Sequence, residues 1–309
     1  MQKYTSLGSG SLHARLKLFA YYIQRVCVSR RLRRAASYVT IAGLGLLHGQ
    51  TGRAHRPGAP GAAAMREQGY LPLGKLLSAR QCDDMLAWLR PQGLVAARGN
   101  GQIFTADQAP AGTLMGDYPL DSVVNCPHVM ELANHPDIIA LARDYLGYTP
   151  TITLMGLRCS FPSTGRDADV QGFHRDSEPG CIKLMVYLTD VDLLSGPHSY
   201  VPGTHRDRMS LRLRRYADHE IECDHGGSVT ITGPAGTGFV IDTQGIHKGT
   251  PPARSRRLVL VIQYSLLPCL IYDYAPVAYR GSKRFDPYIN RLMIAGGTSD
   301  TAVQAACRG

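Results

Sequence analysis

The chain has 309 residues, is 44% hydrophobic and carries a formal net charge of +10. That length and apolar content suffice for a buried core, so a folded globular protein is the expectation. The charge is unevenly placed: residues 1–64 hold ten of the 34 Lys/Arg and none of the 24 Asp/Glu. The remainder is electrically balanced, so a general nucleic-acid footprint is excluded.

The acid-free segment 1–64 contains an arginine run (Arg30, Arg31, Arg33, Arg34) and ends in the Gly/Pro/Ala stretch GQTGRAHRPGAPGAAA. Three readings fit it: a presequence of the mitochondrial type, a basic amphipathic helix over residues 12–35 resting on a membrane or a partner, or a disordered extension. No catalytic role falls here. No run approaches the roughly 18 to 20 apolar residues that span a bilayer; the best, Tyr38 to Leu47, is about half as long and contains two glycines. Eight cysteines (Cys27, Cys82, Cys126, Cys159, Cys181, Cys223, Cys269, Cys307) form no CxxC pair or zinc spacing. They read as reduced thiols of an intracellular, cytoplasmic protein, with mitochondrial targeting by residues 1–64 as the alternative.

Ordinary domain composition begins at Met65, giving an expected folded domain over 65–296 and a loose tail over 297–309. Ser78 is placed to cap a helix whose apolar positions 82, 85, 86 and 89 share one face. A second helix is predicted over Pro136–Leu146, with proline in its first turn and Gly147 after its end. Short runs rich in Val, Ile, Thr and Tyr follow at 151–161, 181–191, 198–203, 228–233, 236–243 and 256–267, punctuated by Gly and Pro. Helices followed by six such strands indicate a mainly β fold, a sandwich or barrel of the jelly-roll kind. The segment from Ala275 is expected to pack over it as a C-terminal extension.

The tripeptide His-Arg-Asp occurs twice, at 174–176 and 205–207. Neither copy has the downstream Leu and Asn of a kinase catalytic loop, and no DFG occurs, so that chemistry is excluded. On an extended backbone, residues i and i+2 share a face, so His174 and Asp176 offer an imidazole and a carboxylate side by side. A third ligand would complete the two-His, one-carboxylate face that suits Fe(II). The first copy follows Gly172 and precedes a long strand, as at a barrel mouth; the second opens a charged run and reads as a surface turn. His219 and His225 lie in polar sequence and read as solvated. His247 follows an apolar strand and precedes a Gly/Pro turn, so it can sit on the same rim. Ten residues later, Arg257 enters a mainly apolar strand, where an inward guanidinium needs an anionic partner.

With these pieces in order, namely REQGYLPLGKLLSARQCDDMLAWL, GFHRD, KLMVYLTDVDLLSGPHSYVPGTHR and GFVIDTQGIHKGTPPARSRRLVLVIQYS, the chain resembles the phytanoyl-CoA dioxygenase family over roughly Arg66 to Ser265. The resemblance implies a double-stranded β-helix (a cupin-like jelly roll). It also implies His174, Asp176 and His247 as iron ligands and Arg257 as the anchor of 2-oxoglutarate. Fe(II), 2-oxoglutarate and O2 are the implied cofactors, with ascorbate as a stimulant, and a small organic molecule is the implied substrate, hydroxylated with release of succinate and CO2. The interval from His247 to Arg257 is about one residue short of the family's, which leaves Arg256 and Arg254 as alternative anchors. Lys183, on the same strand face as Met185 and Tyr187, is either a further co-substrate contact or a lysine snorkelling from a strand end. Related halogenases lack the carboxylate, so Asp176 favours hydroxylation; desaturation and ring closure stay open. The competing readings are a non-catalytic barrel that binds a small molecule or partner, and a membrane-associated hydroxylase of lipid or acyl substrates. The basic 205–226 segment can serve as a substrate lid or partner contact, and Arg175 is left without a role.

Overall fold

Eight strands form the centre of the molecule: β1 (Tyr70–Lys75), β2 (Thr151–Ser160), β3 (Cys181–Tyr187), β4 (His198–Tyr200), β5 (Val229–Ile231), β6 (Thr237–Ile241), β7 (His247–Gly249) and β8 (Arg257–Ser265). The structure is a computed structural model and describes residues 3–4, 12–48, 58–97, 101–163, 172–207 and 214–295. A major sheet runs in the order β1-β6-β3-β8-β2 and continues through Met115–Asp117, Leu94–Ala96 and Ile103–Phe104. A minor sheet runs β7-β4-β5. Every pairing among the eight strands is antiparallel, as the short, turn-punctuated runs predict.

Side-chain alternation along β3 and β8 separates the two faces of the major sheet into different buried clusters. Ile182, Leu184 and Val186 of β3 join Leu258, Leu260 and Ile262 of β8 in a large core. Met185 and Tyr187 point the other way and meet Tyr200, Ile231 and Phe239, which closes the major sheet onto the minor one. The register carries this face across the sheet, with Met185 opposite Phe239 and Val261, and Tyr187 opposite Val259. A slip of one residue would exchange the faces, and with both faces buried the register is strongly specified. The two sheets and their facing core make a double-stranded β-helix.

Helices α1 (Leu12–Val26), α2 (Arg30–His48), α3 (Ala79–Leu89), α4 (Pro136–Leu146) and α5 (Asp218–His225) surround the strands. The α3 start is a capping box: the Gln81 N–H donates to Ser78 Oγ, and the Ser78 N–H donates to Gln81 Oε1. Its buried face, Cys82, Met85 and Leu89, faces the large core, as do Ile138, Leu141 and Ala142 of α4. Gly147 ends α4 in the left-handed conformation that glycine tolerates. In the C-terminal segment, Tyr279, Phe285, Ile289 and Met293 pack on the same core, while the tail expected over 297–309 lies outside the described residues.

Within segment 1–64, where composition pointed to a leader, a disordered extension or an amphipathic helix, the structure describes α1 and α2. Their inner faces are attached to the barrel. Lys17 pairs with Asp273, Leu18, Tyr21 and Leu44 are buried, and Tyr148 donates to the Leu44 carbonyl. Neither helix is long and apolar enough to cross a membrane.

Candidate metal centre

The first His-Arg-Asp tripeptide lies along the edge of the minor sheet. His174 forms an isolated antiparallel bridge with His247, with N–H···O distances of 2.9 and 3.0 Å, and the Asp176 N–H donates to the Thr243 carbonyl at 2.8 Å. Backbone pairing thus sets the two histidines beside each other, ring centroids 4.5 Å apart. The i, i+2 relation brings Asp176 to the same side: its Oδ1 is 3.6 Å from His174 Nε2. One ligand atom from each of His174, Asp176 and His247 lies within 4.8 Å of the others.

Both imidazoles are held in one tautomer. His174 Nδ1 donates to the Gly172 carbonyl at 2.9 Å, and His247 Nδ1 to the Gly245 carbonyl at 3.0 Å. A carbonyl oxygen only accepts, so the proton sits on Nδ1 and the Nε2 lone pair is free for a metal. Burial, then the neighbouring His174, pushes His247 down to about 3, and burial likewise lowers His174. Burial by itself would raise the Asp176 carboxyl, but Lys183 and the two histidines overcome it and hold Asp176 below the ordinary carboxylate range. Lys183 Nζ lies 2.6 Å from Asp176 Oδ2. The lysine that was expected to snorkel or to reach the co-substrate therefore lies against the carboxylate of the triad.

These shifts fix the sign of a pH dependence. Between about 3 and the ordinary histidine value of 6.5, the unfolded chain binds a proton at His247 that the folded chain refuses. Stability of the metal-free protein should rise with pH across that window and level off above it. His174 and the buried His198 act in the same direction. Urea unfolding across a pH series checks this, and His247→Gln should flatten the slope.

The second His-Arg-Asp tripeptide is tied to the first. Arg175 is buried; its Nη1 donates to the Thr204 and Gln244 carbonyls, both at 2.6 Å, and its Nη2 pairs with Asp207 at 2.5 Å. The arginine of one copy and the aspartate of the other thus lock the 174–176 segment to the VPGTHR block. Arg175 turns to Thr204, Asp207 and Gln244 rather than to His174 and Asp176, and its position is structural. The expected surface turn at His205 is corrected: His205 is only 8% exposed, and its Nε2 bonds the Arg66 carbonyl at 3.1 Å. It packs against Gly69, which has φ 78° and could not carry a Cβ, since that atom would lie 2.3 Å from Tyr200 Oη. Loop glycine and buried histidine together set the entry to β1, which a charged local sequence conceals. His219 lies exposed on α5, and part of the basic 205–226 segment, residues 208–213, falls outside the described residues.

A second feature lies at the start of β8. Arg257 is 3% exposed, and burial pushes its guanidinium down to about 10. Its Nη1 donates to the Thr250 carbonyl at 3.3 Å and its Nη2 to Ser160 Oγ at 3.2 Å, while Nε has no partner. No carboxylate pairs with it among the described residues. Arg254 and Arg256 are exposed and already paired with Asp192 and Asp107. Only Arg257 of the three is an inward cation that lacks an anion.

Two neighbours of Arg257 escaped the sequence reading. A Cβ on Gly249 would touch His198 Nε2 at 3.3 Å and Arg257 Nη2 at 3.4 Å, so both groups border the same space. Tyr187 holds His198 in place by accepting its backbone N–H at 2.9 Å. His198 is lowered well below the ordinary histidine value by burial and then by Arg257, His247 and Lys183, so it stands within electrostatic range of both ends of the site. The available signal was alternation: His198 and Tyr200 share a strand face, and Tyr200 is in the inter-sheet core.

The phytanoyl-CoA dioxygenase model matches residues 65–258. Similar solved structures include the epimerase SnoN in complex with Fe3+, alpha ketoglutarate and nogalamycin RO, at 22% identity over 66% of this chain and 81% of that one, TM-score 0.49. HygX from Streptomyces hygroscopicus with nickel and 2-oxoglutarate bound is 14% identical over 75% and 97% of the two chains, TM-score 0.48. EctD from S. alaskensis in its apoform is 19% identical over 72% and 86%, TM-score 0.48. No functionally curated protein matches the chain. The family model spans more than half of the sequence and the whole barrel up to the first residues of β8, and the chain belongs to the phytanoyl-CoA dioxygenase family of iron- and 2-oxoglutarate-dependent oxygenases.

Proposed function

We propose that His174, Asp176 and His247 hold the Fe(II) of this enzyme, that Arg257 binds the far carboxylate of 2-oxoglutarate, and that the enzyme hydroxylates a small organic substrate. The observation that carries the reading is the convergence of one ligand atom from each of His174, Asp176 and His247 within 4.8 Å, with both Nδ1 positions tied to carbonyls. Two neutral imidazoles and a carboxylate suit iron, and the three protein ligands leave coordination positions for others. When bound, iron and 2-oxoglutarate with O2 supply the oxidising chemistry, and succinate and CO2 are released.

The chain's own residues do the positioning. The Gly172 and Gly245 carbonyls orient the two rings, and Lys183 engages Asp176 Oδ2 while Oδ1 faces His174. That arrangement favours a one-oxygen ligand and makes Lys183 a positioning residue for Asp176. Arg257 offers a buried planar fork that matches a carboxylate. Tyr187, Phe239 and Val259 wall the inter-sheet space and keep water from the reacting centre. We assign this activity to residues 65–296 and no catalytic role to 1–64.

The test is a titration of metal-free protein with Mn(II) followed by electron paramagnetic resonance, beside a succinate assay with Fe(II) and 2-oxoglutarate. One bound metal per chain is expected, with succinate formation that requires both additions. Failure to bind metal would overturn the assignment.

A further inference from the structure

We infer that α1 and α2 form a docking surface for an anionic membrane, lying in the plane of the lipid headgroups beside the mouth of the site. Among the described residues, ten of the fourteen exposed large hydrophobic ones lie on these two helices. On α1, Leu12, Leu16, Phe19 and Ile23 recur at helical spacing on one face and are 51 to 73% exposed, while Leu18 and Tyr21 on the opposite face are buried. On α2, Leu32, Val39 and Leu46 recur every seven residues and are 61 to 87% exposed, while Arg33 and Leu44 face inward and are buried. Both helices therefore turn apolar stripes outward, the reverse of what a solvated surface helix does.

Charge selects the occupant. Residues 1–64 carry ten Lys/Arg and no Asp or Glu, and Arg15 and Arg31 are exposed on the same helices. An apolar stripe flanked by basic side chains, on helices that cannot span a bilayer, is the pattern of an in-plane helix on anionic lipid. A second copy of this chain would set like charges against one another, which disfavours self-association.

The helix pair is also coupled to the site. Arg33 donates through Nε to the Cys27 carbonyl and through Nη1 to the Ser177 carbonyl, both at 2.7 Å; its Nη2 donates to Gln24, whose Nε2 in turn donates to Ser177. Ser177 directly follows Asp176. Docking of the outward faces therefore holds the loop that carries Asp176 one helix layer, about 10 Å, from the lipid surface, where a substrate dissolved in or extracted from lipid would arrive. This last point rests on the proposed metal site; the docking itself does not.

Flotation of the full chain with vesicles tests it without metal or co-substrate. The protein should rise with phosphatidylcholine vesicles containing phosphatidylglycerol, stay behind with pure phosphatidylcholine, and be released by high salt. Phe19→Asp combined with Val39→Asp, both exposed, should lower the partition coefficient by roughly tenfold or more while thermal unfolding stays unchanged. No flotation with anionic vesicles, equal flotation with neutral ones, or full retention in the double variant overturns the inference. A dimer in sedimentation equilibrium that the double variant dissolves, without flotation, overturns it in favour of self-association. Flotation that succeeds while the Mn(II) titration fails would separate this surface from the site assignment.

Discussion

Asp176→Ala should reduce succinate formation to background and weaken metal binding by more than about 100-fold, beyond the range of a supporting residue. It should also destabilise the metal-free protein. In the native chain Lys183 lies 2.6 Å from Asp176 Oδ2, with side chains 21% and 18% exposed. Removing the carboxylate leaves a largely buried ammonium facing two imidazoles. A fully buried pair broken in this way costs about 3 to 5 kcal/mol, and partial exposure here lowers the expectation to about 2 to 3 kcal/mol. Asp176→Ala with Lys183→Met should regain most of that stability, because no unpaired charge remains, while metal uptake stays lost. Urea unfolding of the four proteins of the cycle, with Mn(II) titration of each, reads both effects. Metal binding retained in Asp176→Ala would remove the carboxylate from the ligand set; stability unchanged by it would remove Lys183 as its partner.

Much of this site is legible in the sequence because it depends on strand periodicity and local turns. The HxD spacing places His174 and Asp176 on one side, and α3 and α4 start and stop where Ser78, Pro136 and Gly147 direct. The strands β2, β3, β4, β5, β6 and β8 fall inside the runs of branched and aromatic residues. Less legible are the features created by long-range register. Nothing local to His205 says that it is buried against Gly69, since its neighbours Arg206 and Asp207 are polar and the contact crosses more than a hundred residues of chain. Arg175 looked idle because its partners, Thr204, Asp207 and Gln244, come from two other segments. His198 shares a strand face with Tyr200, but in a three-residue strand that alternation carries weight only once Tyr200 is known to lie in the inter-sheet core. The exposed stripes of α1 and α2 have the periodicity of a buried face, and only the fold reveals which side is covered.

Arg257→Met should separate co-substrate binding from stability. The guanidinium is buried, its Nε has no partner, and its other contacts are the neutral Ser160 hydroxyl and Thr250 carbonyl. A buried charge without a counter-ion is a cost to the metal-free fold, and its pKa, pushed down to about 10 by burial, records that cost. Methionine fills similar space without the charge, so the variant should unfold at an equal or higher temperature than the native chain when no 2-oxoglutarate is present. The same change should weaken 2-oxoglutarate binding to the Mn(II) form by roughly 30- to 3,000-fold, the range for removing one partner of a buried charge pair. Arg257→Lys supplies the contrast: it keeps a charge but not the planar fork, so it should lose much of the affinity without the gain in stability. Calorimetric titration with 2-oxoglutarate and thermal unfolding with and without it give the four numbers needed. If Arg257→Met binds 2-oxoglutarate as tightly as the native chain, the anchor passes to Arg254 or Arg256, whose present pairing with Asp192 and Asp107 would then have to open.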